Sequence, residues 1–448
     1  MTLSLNDCIA LDRQDPLRAL RDHFALPDGV IYLDGNSLGA LPNTAPARIA
    51  EVISREWGLG LIRSWNAARW SDLPQRLGDK VARLVGASAG EVVCTDSTSV
   101  NLYKVLFAAM TQAQGHGRHT ILSERSNFPT DLYIAASLCR ERGFTLKLVE
   151  EHQISAALTP EVAVLMLTHV NYRTGAMHDM ATLTAAAHAV GALTVWDLAH
   201  SAGAVPVSLN ACNADFAIGC GYKYLNGGPG SPAFVWVNKR HASRFEQPLS
   251  GWWGHETPFE FTPSYRPASG ISRYLCGTQP IVSLAALECG LDSVLAAEPL
   301  NGTFGSMAAL RTKSLALTDT FIALIEARCP GRFALLTPRE HARRGSQVSL
   351  ALSNDAAMAA TSASTAARAD APNQAGSGAY AIVQAMIARE VIGDFRAGDS
   401  HMPDILRFGF APLYLRFEDV WNAVEHIGQV MDADEWKLPE FNRRLAVT

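Results

Sequence analysis

The chain has 448 residues and a formal net charge of −5 at pH 7, and 48% of its residues are hydrophobic whereas 18% are charged. This composition excludes a disordered or fibrous protein, and the charge gives no reason to expect nucleic acid or an anionic membrane as a partner. No apolar segment is long enough to span a bilayer, and the first residues lack the pattern of a signal peptide. The eight cysteines are scattered without a CxxC pair, so we expect a cytoplasmic protein with reduced thiols and no metal site.

The first predicted elements are a helix over 16–24, a strand over 30–33, a loop over 34–39 and a helix over 45–57. From residue 75, short apolar strands alternate with helices. The predicted strands span 92–95, 120–123, 145–149, 162–167, 193–196, 216–219 and 233–237, and the intervening helices span 77–85, 99–111, 130–142 and 183–190. Continuous apolar strands separated by helices indicate an α/β domain, with a mostly parallel sheet between two layers of helices.

The pattern changes after about residue 280, where long helices are predicted over 283–295 and 307–328 and a half-polar α+β segment follows. A chain of this length is expected to form more than one core. We therefore predict a large domain over 71–295 and a smaller α+β domain over 296–448, joined by an N-terminal arm over 1–70 that reaches the active-site entrance. Residues 352–379 are small and polar, which predicts a flexible surface insertion.

Polar residues follow the predicted strands at their carboxyl ends, where ligands bind in parallel sheets. The most informative of them is Lys223, in the segment DFAIGCGYKYLNGGPG over 215–230. A lysine among tyrosines, followed by a glycine-rich loop, is typical of a desolvated and rigidly aimed Schiff-base lysine. On this segment alone, a surface lysine at a strand end remains the alternative.

Asp197 directly ends the predicted strand over 193–196, and His200 follows one helical turn later. A buried carboxylate needs a partner, and the protonated pyridine nitrogen of pyridoxal 5′-phosphate (PLP) is a suitable one. An N-capping aspartate with a packed histidine explains the same segment equally well.

Two further loops join strands to helices. The segment TDSTSVN over 95–101 offers hydroxyls and free N–H groups at a helix N-terminus, which suits a phosphate, although ordinary capping is the commoner reason for such residues. In NFPTD over 127–131, Phe128 can stack on a planar ring, but this motif is weak by itself. The order phosphate loop, ring-stacking loop, aspartate and lysine predicts a PLP enzyme of the aminotransferase type. Neither a GxGxxG nor a Walker motif is present.

At these residues the sequence resembles the kynureninases, and the resemblance extends over almost the whole chain. The matching motifs are YLDGNSLG (32–39), LIRSWN (61–66), SNFPTDLY (126–133), LTHVNYRTG (167–175), WDLAHSAGAVPV (196–207), GYKYLNGGPGS (221–231), PLSGWWGH (248–255), RYLCGTQPI (273–281) and LRFGFAPLY (406–414). The resemblance implies the type I fold of PLP-dependent transferases. It also implies a cytoplasmic homodimer that cleaves L-kynurenine to anthranilate and L-alanine in tryptophan catabolism.

The resemblance assigns a role to each matching residue. Lys223 forms the Schiff base and moves protons, Asp197 binds the pyridinium nitrogen, and Tyr222 is a candidate acid. The other implied cofactor contacts are Thr98, Ser99, Phe128, Asp131, Thr168 and His200, with Trp252 and Thr278 contributed by the second subunit. Arg407 is implied to pair with the substrate carboxylate, although its local sequence alone predicts a surface residue. Ser37 and Trp65 complete the implied substrate site.

The implied substrate preference depends on two positions. Kynureninases that prefer 3-hydroxykynurenine carry a histidine in the region of Trp65 and an asparagine at the place of Thr278, so this chain is expected to prefer L-kynurenine. Two other functions remain open. A cysteine desulfurase would need a mobile catalytic cysteine on a late loop, and Cys276 and Cys329 lack a suitable flanking pattern. A non-catalytic PLP-fold protein would be expected to have lost Lys223 or Asp197.

Overall fold

The structure is a computed structural model and describes residues 3–114, 116–244, 247–300, 305–353, 378–399 and 402–443. Most of the predicted insertion, residues 354–377, lies outside the described residues. The chain divides into two compact units. The smaller comprises Met1–Ala40, Arg173–Ala176 and Ala296–Thr448, and the larger comprises Leu41–Tyr172 and Met177–Leu295.

The elements largely follow the predicted alternation. The strands are β1 (Ile31–Tyr32), β2 (Val92–Cys94), β3 (Thr120–Glu124), β4 (Thr145–Val149), β5 (Val162–Thr168), β6 (Leu193–Asp197), β7 (Phe216–Gly219), β8 (Phe234–Val237), β9 (Phe333–Leu335), β10 (Gln347–Leu352), β11 (Val391–Ile392), β12 (Asp394–Arg396) and β13 (Ile405–Gly409). The α-helices span Leu5–Gln14, Ala45–Glu51, Ser64–Ala67, Leu73–Val85, Thr98–Gln114, Pro129–Arg142, Ile154–Ala157, Met180–Ala189, Lys239–Ala242, Ile281–Leu295, Gly305–Arg328, Gly378–Ile387 and Phe417–Asp432.

The larger unit contains a seven-stranded sheet in the order β2-β8-β7-β6-β5-β3-β4. The pairs from β7 through β4 are parallel, and β8 runs antiparallel to both of its neighbours. Every residue of β2, β5, β7 and β8 is buried, because helices cover both faces of the sheet. This is the α/β architecture that the sequence predicts, with one antiparallel strand that the apolar pattern could not distinguish from the others.

Residues 41–70, predicted to belong to the N-terminal arm, lie in the larger unit. The helix Ala45–Glu51 continues as a π-helix over Val52–Gly60, whereas one plain helix is predicted over 45–57. Val52 and Trp70 pack against Ala285 in a small buried cluster. This apolar contact with the helix Ile281–Leu295 explains why residues 41–70 belong to the larger unit.

The smaller unit contains an antiparallel sheet in the order β12-β13-β10-β9 and a separate parallel pair of β1 with β11. Its core includes Phe321, whose ring lies 5.1 Å from that of Phe408 and 5.3 Å from that of Phe410. Gly409 is required on β13, because a β-carbon there would lie 2.0 Å from Oδ1 of the buried Asn36. The loop after β1 is therefore packed closely against β13.

Candidate active site

The carboxyl edge of the large sheet brings Thr168 and Asp197 together. They are the last residues of β5 and β6, and they face each other in the parallel register. Asp197 is buried and its Oδ1 accepts a hydrogen bond from the N–H of Ala199 at 2.7 Å. The Thr168 hydroxyl lies 3.5 Å from Oδ2 of Asp131, a buried residue in the first turn of the helix Pro129–Arg142. Three predicted site residues thus meet at one edge.

Asp131 and Asp197 form a buried carboxyl pair. Burial raises the pKa of Asp131 well above the ordinary carboxyl value, and the charge of Asp197 raises it further. Burial also raises the pKa of Asp197, and the N–H of Ala199 and the charge of Lys223 oppose that rise. Burial and the charge of Asp197 therefore favour the protonated form of Asp131, because two neighbouring carboxylates repel each other when both are ionised. These groups fit the ring nitrogen of PLP, since Asp197 can accept a hydrogen bond from a pyridinium.

Lys223 lies in the loop after β7, four residues beyond the strand. Its Nζ is 2.9 Å from Nε2 of His200, 6.0 Å from the centre of the Phe128 ring and 5.8 Å from the centre of the Tyr222 ring. Burial raises the pKa of the Tyr222 phenol, so this hydroxyl stays protonated and able to donate. The lysine is thus held among the residues that the resemblance assigns to the cofactor.

The loop that carries His200 is packed directly against the lysine loop. Gly203 has a φ of +79°, and a β-carbon there would lie 2.8 Å from the carbonyl oxygen of Tyr224. Within the lysine loop, the N–H of Asn226 donates to the carbonyl of Lys223 at 2.9 Å. These backbone contacts restrict the direction in which Lys223 points.

A cavity of about 480 Å3 adjoins this group and is lined by Asp96, Ser97, Thr98, Tyr222, Pro229, Gly230, Ser231, Pro232, Ala233, Thr278, Gln279 and Pro280. Thr98 begins the helix Thr98–Gln114, and Ser99 lies in the same first turn. Free N–H groups and hydroxyls at a helix N-terminus fit an anion such as the phosphate of PLP. Thr278 lines the cavity of its own chain; its contribution to a second subunit stays a prediction.

Trp65 and Trp252 belong to one aromatic cluster. The Trp253 ring lies 5.0 Å from that of Trp65 and 4.5 Å from that of Trp252, and Phe259 and Phe261 extend the cluster from Trp252. Both predicted tryptophans are only partly buried. The cluster offers apolar ring faces and edges for contact with another aromatic ring.

The smaller unit brings Ser37 and Arg407 together through Asp394. Arg407 is almost fully buried, and its Nε donates to Oδ1 of Asp394 at 2.8 Å while its Nη2 donates to Oδ2. Nη2 also donates to the Ser37 hydroxyl at 2.8 Å, and this hydroxyl donates to Asp394 at 2.8 Å. The local sequence predicts a surface position for Arg407, and this is wrong because β13 is the buried strand between β12 and β10.

Several polar residues at these sites were not predicted from the sequence. Asn127 accepts a hydrogen bond from Thr168 and donates to Ser123 at 3.1 Å, so it orients Thr168. Asp394 was missed because it is thirteen residues from Arg407 and becomes its partner only through the antiparallel register of β12 with β13. Asn127 directly precedes Phe128 in the loop over 127–131, where Phe128 was predicted to stack on a ring. The amide side chain in this loop was therefore the signal in the sequence for a residue that orients Thr168.

The structure also bears on membrane and metal binding. No helix among the described residues is both long and apolar enough to cross a bilayer. In the part of the chain that the structure describes, no cluster of His, Cys, Asp or Glu side chains has the arrangement of a metal site. All eight cysteines are free thiols.

Two family models match the chain: aminotransferase class-V over residues 31–392, and the kynureninase C-terminal domain over residues 358–427. Among solved structures, a cysteine desulfurase from Thermococcus onnurineus NA1 superposes with a TM-score of 0.72 at 17% identity, covering 92% of this chain and 98% of that one. A C-DES variant with glycine covalently linked to its PLP cofactor gives a TM-score of 0.74 at 16% identity, covering 91% and 98%. These likenesses confirm the predicted type I fold.

Curated relatives are much more similar in sequence. The kynureninase of Burkholderia pseudomallei (strain 1106a) is 54% identical over 448 residues, covering 99% of each chain. The kynureninase of Pseudomonas fluorescens is 54% identical over 449 residues with the same coverage. Since this identity extends over nearly the full length of both chains and the buried carboxyl pair, lysine loop and anion cavity fit PLP, the chain belongs to the kynureninase family of PLP-dependent enzymes.

Proposed function

We propose that the protein hydrolyses the β,γ carbon–carbon bond of L-kynurenine to give anthranilate and L-alanine, and acts more weakly on 3-hydroxykynurenine. The observation that carries this proposal is the contact between Lys223 and His200, beside the buried Asp131–Asp197 pair, in a chain related to kynureninases over its full length. The reaction is a step of tryptophan catabolism.

The roles of individual residues follow from their surroundings. PLP, when bound, supplies an electron sink for negative charge at the substrate α-carbon. Asp197 holds the ring nitrogen in its protonated form, and the raised pKa of Asp131 limits repulsion between the two carboxyls. Thr98, Ser99 and Tyr222 hold the phosphate. Thr168 orients Asp131 beside the ring, and His200 orients Lys223. Phe128 covers one face of the ring.

Lys223 holds the cofactor and then acts as the base at the α-carbon. Its contact with His200 and the aromatic rings around it keep its Nζ in one place. Because a base near neutrality must be available in its uncharged form, partial desolvation by these rings favours this role. Tyr222, with a protonated hydroxyl on the cavity wall, donates the proton that completes alanine.

Arg407 binds the substrate carboxylate with Ser37. A guanidinium suits this task because two of its N–H groups match the two oxygens of a carboxylate. Trp65 and the neighbouring aromatic rings bind the aniline ring of kynurenine. The absence of a histidine at Trp65 and of an asparagine at Thr278 supports the preference for L-kynurenine over its 3-hydroxy form.

The proposal also includes a cytoplasmic homodimer in which Trp252 and Thr278 serve the second subunit's phosphate site. The apolar side chains of Trp57, Leu59, Leu61 and Ile62 are between 58% and 76% exposed, which supports burial against a second copy. Sedimentation velocity should give a dimer. The free thiols of the chain support a reducing compartment.

The central experiment compares Lys223→Ala with Lys80→Ala, a matched control in a surface ion pair with Glu288 and Asp292. Lys223→Ala should abolish the fluorescence of released anthranilate, and borohydride should no longer fix PLP covalently to the protein. Lys80→Ala should retain both signals. Turnover by Lys223→Ala, or PLP fixed to it by borohydride, would show that another residue carries the chemistry.

A second experiment tests the preference. Trp65→His combined with Thr278→Asn should shift the ratio of kcat/KM towards 3-hydroxykynurenine. An unchanged ratio would contradict the assignment of these two positions to specificity.

A cysteine desulfurase is the competing function, since the fold neighbours include such enzymes. Burial raises the pKa of Cys329 to about 11, and burial also raises the pKa of Cys276. Thiols with raised pKa values are poor nucleophiles at neutral pH, which disfavours this alternative. Release of sulfide from cysteine without release of anthranilate from kynurenine would reverse this conclusion.

A further inference from the structure

Lys104 is a fully buried lysine in the helix that begins at Thr98. Its Nζ donates to Oδ2 of Asp96 at 2.5 Å and to the backbone carbonyl of Tyr274 at 2.6 Å. A buried ammonium is unfavourable unless it is paired and hydrogen-bonded. The residue is not among those that the proposed reaction uses, so its position needs a separate explanation.

The partner of Lys104 lies on the wall of the anion cavity. The Asp96 side chain is 28% exposed and lines the cavity with Thr98 and Tyr222. A carboxylate next to a bound phosphate is repulsive unless a cation neutralises it. Lys104 provides this charge from the buried side of Asp96, away from the cavity.

The same network joins two segments of the chain that line the cavity. Asp96 has a φ of +50°, which turns the chain sharply between β2 and the helix. The Thr95 hydroxyl lies 3.0 Å from Oδ2 of Asp96 and 3.1 Å from Oε1 of Gln279, and shares its proton between them. Thr278 and Gln279 also line the cavity. Lys104 reaches the same segment of the chain through the backbone carbonyl of Tyr274.

We propose that Lys104 is a positioning residue for the PLP phosphate: it neutralises Asp96 and fixes the loop before Thr98 against the segment that carries Thr278. The helix N-terminus then presents its N–H groups to the phosphate without an opposing charge. The inference rests on the phosphate site of the proposed function.

The test measures equilibrium binding of PLP and of pyridoxal, which lacks the phosphate, to cofactor-free protein. Lys104→Met should weaken PLP binding about tenfold or more, as expected for one uncompensated charge at short range, and leave pyridoxal binding unchanged. Rising NaCl should reduce the defect, since salt screens the repulsion. The surface control Lys80→Met should behave as the wild type. Equal loss for both ligands, or no loss for PLP, would overturn the proposal.

A double variant keeps the test decisive if Lys104→Met folds poorly. Asp96→Asn with Lys104→Met removes both charges, so the ratio of PLP to pyridoxal affinity should return to within about threefold of wild type. A tenfold lower ratio would overturn the proposal.

Thr98→Ala separates the inference from the phosphate site on which it rests. If this variant leaves the affinity ratio unchanged, the phosphate site itself is misplaced. If the ratio falls in Thr98→Ala but not in Lys104→Met, only the role of Lys104 fails.

Discussion

Asp34 lies in the loop after β1, and its ionisation is expected to destabilise the smaller unit. Burial raises the pKa of this carboxyl from 3.8 to about 7, with the charge of Asp394 raising it further and the charge of Arg407 opposing the rise. A group with a raised pKa in the folded state binds its proton more tightly there than in the unfolded chain. Its contribution is therefore favourable at low pH and is lost as the pH rises from about 4 to about 7.

The magnitude follows from the difference between the two pKa values. Each pH unit corresponds to about 1.4 kcal/mol, so ionised Asp34 destabilises the folded state by about 4 kcal/mol above pH 7. Asp34→Asn removes the titrating group with little change in shape. Between pH 5 and pH 8, the free energy of unfolding of the variant relative to wild type should rise by about 3 kcal/mol.

Urea unfolding of the cofactor-free protein, followed by tryptophan fluorescence and circular dichroism at several pH values, measures this difference. Asp28→Asn, in an exposed turn of the same unit, is the matched control and should give a difference independent of pH. If the difference for Asp34→Asn is also constant between pH 5 and pH 8, the reasoning from burial is refuted.

Three more predictions concern other buried contacts. Asp394→Asn should raise the KM for kynurenine about tenfold with kcat nearly unchanged, because Asp394 holds the Nε–Nη2 edge of Arg407; steady-state kinetics measure this split. Asp215→Asn should lower the free energy of unfolding by about 3 kcal/mol or more, because this buried carboxylate accepts hydrogen bonds from two histidines and an arginine. These bonds outweigh burial and hold the pKa of Asp215 below its usual value, so wild type should lose this stabilisation as the pH falls below about 4. Gly78→Ala should lower the unfolding free energy by about 2 kcal/mol, because the added β-carbon would lie 2.1 Å from the carbonyl oxygen of Val92.

The two stability variants, Asp215→Asn and Gly78→Ala, each have a matched control. Asp292→Asn changes an exposed carboxylate in a surface ion pair and should cost less than about 1 kcal/mol. Gly277→Ala places a β-carbon with nothing within 4 Å and should leave the unfolding free energy nearly unchanged. A KM for Asp394→Asn within twofold of wild type, or losses in the other two variants no larger than in these controls, would contradict the predictions.

The sequence by itself determined the class of fold and the chemical centre of the site. Apolar strands of four to seven residues between amphipathic helices specify a covered parallel sheet, because a strand buried on both faces cannot alternate polar and apolar residues. The polar residues at or shortly after the ends of these strands, Thr168, Asp197 and Lys223, could therefore be assigned to one edge of the sheet.

The tertiary structure alone decided which charged and titratable side chains lie next to one another. The pairing of Asp131 with Asp197, of Lys104 with Asp96 and of Arg407 with Asp394 depends on register and packing between separate elements. Propensity and periodicity describe neighbours along the chain, whereas these distances are set by the folding of distant segments onto one another. Asp197 could be predicted as a site residue from its position at a strand end, but the raised pKa of the neighbouring Asp131 could not, because burial and a second carboxylate act only in the folded protein.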